Sequence, residues 1–557
     1  MVGLAATVQV LSIRHETQTW DEAFELVGGY SYLTTGDYRV TTQHPPLARL
    51  LAALPLLYFR PRLPSKEVVG DAEAGRAFLY GNTTSAGTLL FAARLPMIAV
   101  TAAAILALAA WTRKRFGTKA ALVAACLLGL DPNFLAHGRY VKHDVPVTLF
   151  AFLAVIAWEW FLDSHGKLAL LAAGAALGLA LGTKFNAVFL VPVFVILYVV
   201  HERRRLRFFA AARVFAITAL TAFLVVAALY APDAAALIPR TAANKGTRPP
   251  LHHVVDRGTA VGRTLAWTGA RLGLRSHPLL TGLAVFAAHE NSGHEAYLMG
   301  MYSRDGWWYY YPVAFLVKEP ATTLLALALA LAAAAGRLRV ARLRRARFSW
   351  AVLIVPIAVY GAICCAGSVD IGIRLLLPIY PYLCAAVGAA LASVRFRYRD
   401  AILAALIACL AAESLGAYPH FTSFFNRLAG GTARGPRYLL DSNIDWGQDL
   451  ERLKDYTDAH GIRRICALYF GTAPMEYFGL NEGTLPGAGD LRKGAQLECQ
   501  AIAASVTPLY GLYAPHDYAA WLRDIPPAAR IGGSIYVWYV KDPMLRSALR
   551  KLRSSGP

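Results

Sequence analysis

Charge is scarce in this sequence. Only 16% of the 557 residues are Asp, Glu, Lys or Arg, and 56% are hydrophobic; a soluble globular chain carries about 25% charged residues. The acids are the scarcer sign, 35 against 56 basic residues, which leaves a formal charge of +21. Cysteine is also sparse, at seven. Neither a Cys-x-x-Cys pair nor a Cys/His zinc spacing is present, so a redox dithiol or a zinc ribbon is excluded as the organising feature. No DNA- or RNA-binding motif accompanies the basic excess, and nucleic acid is not expected as a partner.

What the chain does have is apolar runs long enough for about 30 Å of hydrocarbon. They fall at roughly 1–13, 88–110, 119–136, 145–162, 167–182, 185–200, 209–230, 309–335, 349–366, 371–393 and 401–417. The expected fold is therefore a polytopic α-helical membrane protein with about eleven spans. The basic clusters "TRKRFGTK", "HERRRLRF", "GRLRVARLRRARF" and "RFRYRD" all fall on one side if the N-terminus is cytoplasmic. That is the positive-inside pattern, and anionic lipid is the plain partner for these loops. The orientation leaves a first outer loop at 14–87, a second at 231–308 and an outer tail. No cleavable leader is read, and the first segment is expected to stay as an anchor. That segment is short for a span. Either the helix runs on through His15 to Thr19, or further residues precede it.

The tail, 421–557, reads as a small α/β extracytoplasmic domain behind a 1–420 membrane domain. "DSNIDWGQDLERLKDYTDAHGI" carries helix start and stop signals. "RICALYF", "ASVTPLYGLY" and "GSIYVWYV" read as strands. In an oxidising compartment Cys466 and Cys499 are candidates for a disulfide, with two buried thiols as the alternative. Cys126, Cys364, Cys365, Cys384 and Cys409 lie in apolar segments and read as inert packing.

Charges within or at the ends of spans carry the most information, because they are expensive there. Arg94, Arg139, Lys142, His143, Asp144, Lys184, Asp370 and Arg374 all map to the outer side, as do Asp21, Glu22 and His44 in the first loop. Each has a plain reading alone: Arg94, Lys184 and Arg374 snorkelling to headgroups, Asp144 capping its helix or pairing with Lys142. Gathered at one leaflet, they suit an anionic substrate held in the membrane. Arg and Lys donate to phosphate oxygens, and a carboxylate beside them takes a proton from an attacking hydroxyl.

The motifs also carry a resemblance. "TWDEAFELVGGYSYLTTGDYRVTTQHPPLARLL" resembles the first outer loop of the protein O-mannosyltransferases and their bacterial relatives, glycosyltransferase family 39 in the C-type (GT-C) membrane superfamily. The matching positions are Asp21, Glu22, Gly28, Tyr30, His44, Pro45, Pro46, Leu47 and Arg49. "AARLP" (Arg94), "GRYVKHDVPVTLF" (Arg139, Tyr140, Asp144), "GLALGTKFNAV" (Lys184) and "GIRLLLPIYPYL" (Arg374, Pro378) follow in family order over about residues 15–420. The second outer loop is too short for the β-trefoil of the eukaryotic enzymes; the family supplies no counterpart for the tail, though "RYLLDSNIDWGQDLERL" resembles a tail in bacterial members of the wider group. The resemblance implies inverting transfer of a sugar, mannose by analogy, from a polyprenyl-phosphate donor to an acceptor hydroxyl on a protein, glycolipid or cell-wall polymer. It implies Asp21 as general base and Glu22 orienting Asp21 or the acceptor. Arg94, Arg139, Lys184 and Arg374 would hold the donor phosphate, with His44, Lys142, His143 and Asp144 in support. No cofactor is required and no metal ligand is assigned; a divalent cation is left open. The implied location is the bacterial inner membrane with the tail periplasmic.

Other features weigh less. "HENSGHE" (His289 to Glu295) fails the H-E-x-x-H zinc spacing, since its histidines are five apart. "WWYYY" (Trp307 to Tyr311) reads first as an interfacial belt. "HPPLARLLAALPLL" reads as a surface amphipathic helix shaping the donor groove. The rival function is a lipid or solute transporter. It accounts for intramembrane charge, but not for charge gathered at one face.

Overall fold

The computed structural model describes residues 1–38, 40–65, 70–203, 207–234, 278–335 and 344–554. His252 and His253, most of the second outer loop and the basic run 336–343 lie outside the described residues.

Six helices among the described residues are long and apolar enough to cross a membrane: Ala86–Phe116, Asp144–Ser164, Phe185–Glu202, Phe208–Ala231, Phe348–Ala366 and Ile373–Ala392. The first shows how sequence sets such an element. Ser85 caps it by accepting from the Thr88 backbone N–H at 3.2 Å. Arg113, Lys114 and Arg115 then occupy its last turn, where cations suit the helix dipole.

The other expected spans take different forms. The 309–335 segment is a helix pair, Tyr310–Lys318 and Ala321–Ala335, bent by 112°. The break falls at Glu319-Pro320, where the Asn426 side chain donates to the carbonyls of Leu316 and Glu319, both at 2.7 Å. The 119–136 segment divides at Asp131, which caps a second short helix, Pro132–His137. The first helix is only Val2–Ser12; a 3-10 turn carries it to His15 and Glu16 is extended, so it does not run to Thr19. The Lys167–Leu181 helix is apolar but has 15 residues. Arg399–Gly416 has 18 residues, three of them charged.

The first loop folds on itself beside Ala86–Phe116. Its Glu22–Thr35 helix packs against Leu47–Ala53 and Asp71–Tyr80, burying Leu26, Val27, Ala52, Phe78 and Leu89 in one cluster. Gly29 allows the close approach: a Cβ there would strike the Arg49 backbone carbonyl. The "HPPLARLLAALPLL" stretch is two short helices, Leu47–Ala53 and Leu56–Phe59, rather than one.

A two-stranded hairpin, β1 (Ala296–Leu298) and β2 (Met301–Ser303), precedes the bent helix pair. The tail contains a five-stranded sheet of β3 (Ile465–Leu468), β4 (Glu482–Thr484), β5 (Ala501–Ser505), β6 (Ala529–Ile531) and β7 (Ile535–Tyr539). Their order is β4-β3-β5-β7-β6. β3 runs parallel to β4 and β5, and β7 antiparallel to β5 and β6. The helix expected near Asp449 spans Leu450–Ala459 and lays Leu450 and Leu453 on the sheet. Cys466 and Cys499 are disulfide-bonded.

The tail docks directly on the first loop. Thr17 N–H donates to the Gln448 carbonyl at 3.0 Å and Trp20 N–H to the Trp446 carbonyl at 2.8 Å. Thr17 Oγ1 donates to the Gly447 carbonyl at 2.9 Å.

Candidate active site

First loop, membrane helices and tail enclose a cavity of about 750 Å³. Asp21, His44, Lys142, Lys184 and Arg374 all line it. The structure thus brings together five sequence-selected residues drawn from four separated stretches.

Asp21 stands at the N-terminus of the Glu22–Thr35 helix. Its Oδ2 lies 2.5 Å from Lys142 Nζ, which is also 3.6 Å from Glu25. Lys184 and Arg374 converge on one buried carboxylate: Lys184 Nζ is 2.5 Å from Asp144 Oδ1, and Arg374 Nη1 is 3.4 Å from Asp144 Oδ2. Asp144 is therefore the counter-ion that positions two cavity cations, rather than a partner of Lys142. Arg374 Nε also donates to Ser442 Oγ at 3.0 Å. Gly372, at φ +148°, permits that seat, since a Cβ would collide with the same hydroxyl. Burial lowers the Lys184 ammonium from its ordinary value, opposed by Asp144.

His44 and His143 lie ring to ring, with centroids 4.6 Å apart. Burial, followed by nearby charged or basic groups, pushes both imidazoles well below their ordinary values, so both are neutral at pH 7. Among the described residues neither His143 nitrogen makes a hydrogen bond. Glu25 lies beneath them and is tied to Arg49 at 2.8 Å. Burial raises its carboxyl above the ordinary value against the pull of Arg49 and Lys142.

Three candidates sit elsewhere. Glu22 is fully buried. It accepts two bonds from Arg94, Nε at 2.9 Å and Nη2 at 2.6 Å, and two more from the Thr19 and Val141 backbone N–H groups. Arg94 spends its other donors on the Glu16 and Thr17 carbonyls. Arg139 bonds Ser12, Glu16, Tyr140 and the Pro419 carbonyl. Neither arginine lines the cavity. Held by these partners, the two guanidiniums tie loop, bundle and tail together. Glu22 does not reach Asp21's partner Lys142; it faces Arg94.

The tail supplies lining that the sequence reading missed: Trp446, Asp441, Phe470 and Tyr513. Trp446 is buried, with the Arg374 guanidinium 4.5 Å and Lys142 Nζ 6.0 Å from its ring centre. Asp370 accepts from the Trp307 N–H at 2.7 Å, and burial pushes its carboxyl up to about 7. Of "WWYYY", Tyr310 and Tyr311 are buried and Trp308 is exposed. Tyr311 faces the cavity. Apolar residues including Val188, Val285, Phe286, Ile363 and Leu375 line the rest. Among the described residues no three His, Cys, Asp or Glu side chains are grouped to hold a metal ion.

Residues 78–230 match the model of the family described as dolichyl-phosphate-mannose-protein mannosyltransferase. That stretch carries Arg94, Arg139, Asp144 and Lys184, and over it the resemblance read from the motifs is found independently. No curated protein sequence gives a match. Among solved structures the chain is similar to ArnT from Cupriavidus metallidurans bound to undecaprenyl phosphate, at 13% identity and TM-score 0.47 over 96% of each chain. It is also similar to the oligosaccharyltransferase AglB from Archaeoglobus fulgidus in complex with an inhibitory peptide and a dolichol-phosphate, at 15% identity and TM-score 0.41 over 91% of this chain and 69% of that one. Arabinofuranosyltransferase AftD from mycobacteria is 10% identical, with TM-score 0.39, over 90% and 35%.

Proposed function

We propose that the chain is a GT-C-type membrane glycosyltransferase. It moves a sugar, a hexose such as mannose, from a polyprenyl-phosphate carrier to an acceptor hydroxyl, in the bacterial inner membrane with the cavity facing outward. One observation carries the reading. A carboxylate, Asp21, shares a cavity with two cations, Lys184 and Arg374, that converge on Asp144, and an apolar wall adjoins them.

The step uses these groups as follows. Lys142 fixes the orientation of Asp21 through Oδ2. Asp21 takes the proton of the acceptor hydroxyl as that oxygen attacks the anomeric carbon. The bond from that carbon to the phosphate oxygen breaks, and its electron pair leaves on the phosphate. Lys184 and Arg374 stabilise the charge that develops there. Attack opposite the leaving group inverts the anomeric centre. Val188, Val285 and Phe286 accommodate the first isoprene units. Phosphate leaves readily, so the step does not require a metal; transfer measured in excess chelator tests whether a divalent cation takes part. The acceptor, whether borne by protein, glycolipid or cell-wall polymer, has to bring its hydroxyl to Asp21.

Membranes carrying the wild-type chain are expected to move label from a radiolabelled polyprenyl-phosphate hexose, and Asp21→Asn to lose about 10²–10⁴-fold of that rate. Full transfer by Asp21→Asn refutes the base assignment. The bent Tyr310–Lys318/Ala321–Ala335 pair is the one observation on the transporter's side, since transporters use interrupted spans. Absence of transfer by the wild type, with carrier lipid crossing the bilayer, favours that reading.

A further inference from the structure

One wall of the cavity has no part in the step above. Trp20 and Phe470 stack with ring centres 4.9 Å apart and planes at 23°, and Phe470 and Tyr513 stack at 5.5 Å and 18°. The three rings form one stack from the first loop to the tail, with Phe470 between Trp20 and Tyr513, and all three line the cavity. The outer two stay open, Trp20 at 38% exposure and Tyr513 at 39%.

The run ends on an acid. Tyr513 OH donates to Asp441 Oδ2 at 2.6 Å, and Asp441 Oδ1 accepts from the Ser442 backbone N–H. Each carboxylate oxygen accepts two bonds, so each keeps capacity for a donor from the cavity. Both residues sit in left-handed backbone, Asp441 at φ 58° and Tyr513 at φ 62°. Asp takes such a φ more readily than most residues, but for the bulky Tyr513 it is an outlier that persists where surrounding structure imposes it. Their hydrogen bond fixes a ring and a carboxylate side by side at the cavity wall.

We propose that this wall is a saccharide-binding subsite, and that the acceptor is a sugar hydroxyl of a glycan or glycolipid. A pyranose has a flat face of C–H groups and a rim of hydroxyls. It fits a ring face with a hydrogen-bond acceptor at its edge. An extended peptide held by strand addition needs an unpaired strand edge, and none of the described lining residues belongs to a strand. Trp20 immediately precedes Asp21, so a sugar on the Trp20 face lies beside the proposed base. The word acceptor rests on the proposed function; the binding itself does not.

The test separates the two. Full-length protein in detergent is titrated calorimetrically with gluco-, manno- and galacto-configured trisaccharides, with a serine/threonine octapeptide, and in parallel with a short polyprenyl phosphate. The wild type is expected to bind at least one trisaccharide in preference to the octapeptide. Trp20→Ala and Asp441→Asn each weaken that binding about tenfold. Tyr513→Phe, which keeps the ring, weakens it less. Polyprenyl phosphate binding is retained in all three variants, which shows that they are folded. Preference for the octapeptide overturns the subsite. So does trisaccharide binding indifferent to Trp20, or none by a wild-type chain that still melts cooperatively. Trisaccharide binding without polyprenyl phosphate binding removes the proposed function and leaves the subsite standing.

Discussion

Asp21 and Glu22 are neighbours in sequence, and the structure gives them opposite surroundings, so their neutral variants should fail differently. Glu22 and Arg94 are both fully buried, and the carboxylate holds the guanidinium through two bonds. Glu22→Gln keeps the shape but removes the charge, and it turns an amide N–H₂ toward donors. Breaking one side of a buried pair costs about 3–5 kcal/mol, a large share of a typical 5–15 kcal/mol stability. Purified Glu22→Gln should melt several degrees below wild type. The double change with Arg94→Gln should recover part of that loss, a coupling of about 0.5–3 kcal/mol. Asp21→Asn should melt close to wild type and lose transfer, because its side chain is 16% exposed and Lys142 keeps Glu25 at 3.6 Å. Static light scattering or dye-based melting in detergent, beside the radiolabel assay, reads both. A Glu22→Gln protein that melts like wild type yet transfers nothing refutes the reasoning and puts Glu22 in the chemistry.

Three further outcomes are expected. Cys466→Ser opens a closure with sequence separation 33 and should lower tail stability by about 3–4 kcal/mol, seen as earlier proteolysis of the tail. Asp445 is buried, and burial pushes its carboxyl up to about 8 from about 3.9 in the unfolded chain. Folding therefore favours its protonated form. That stability is fully present below about pH 4 and drains as pH rises through about 8, so Asp445→Asn should flatten the fall in melting temperature over this window. Arg374→Lys keeps the charge but cannot reach Asp144 and Ser442 with one ammonium as the guanidinium does; KM for the lipid donor should rise about tenfold with a smaller change in kcat.

The membrane character and the cluster Asp21, His44, Lys142, Lys184 and Arg374 were legible in the sequence, because charge next to apolar runs is costly and so marks a purpose. Whether such a charge faces a ligand or another side chain was not legible. Arg94 and Arg139 look like Lys184 in sequence, yet their partners Glu22 and Glu16 come from the first loop, 72 and 123 positions away. Hydropathy runs straight through Glu319-Pro320; the proline interrupts the helix there, and the Asn426 amide that satisfies the Glu319 carbonyl lies 107 positions on. Nor could it place Trp446, Phe470 and Tyr513 beside Asp21, since the tail reads as a polar domain of its own. The tail's own elements were plainer in part: the Leu450–Ala459 helix and strands β3 and β7 fall within the stretches read for them, whereas "ASVTPLYGLY" (504–513) holds only the last two residues of β5 and continues as a short helix, Val506–Leu509.

The bonds from Thr17 and Trp20 to Trp446, Gly447 and Gln448 span more than 420 positions each. During synthesis the first loop must wait for nearly the whole chain before those groups are met. Trp446, the ring against which Arg374 and Lys142 rest, arrives equally late. A chain that stops short of the tail therefore leaves Asp21, Lys142 and Arg374 without the Trp446 wall of their cavity.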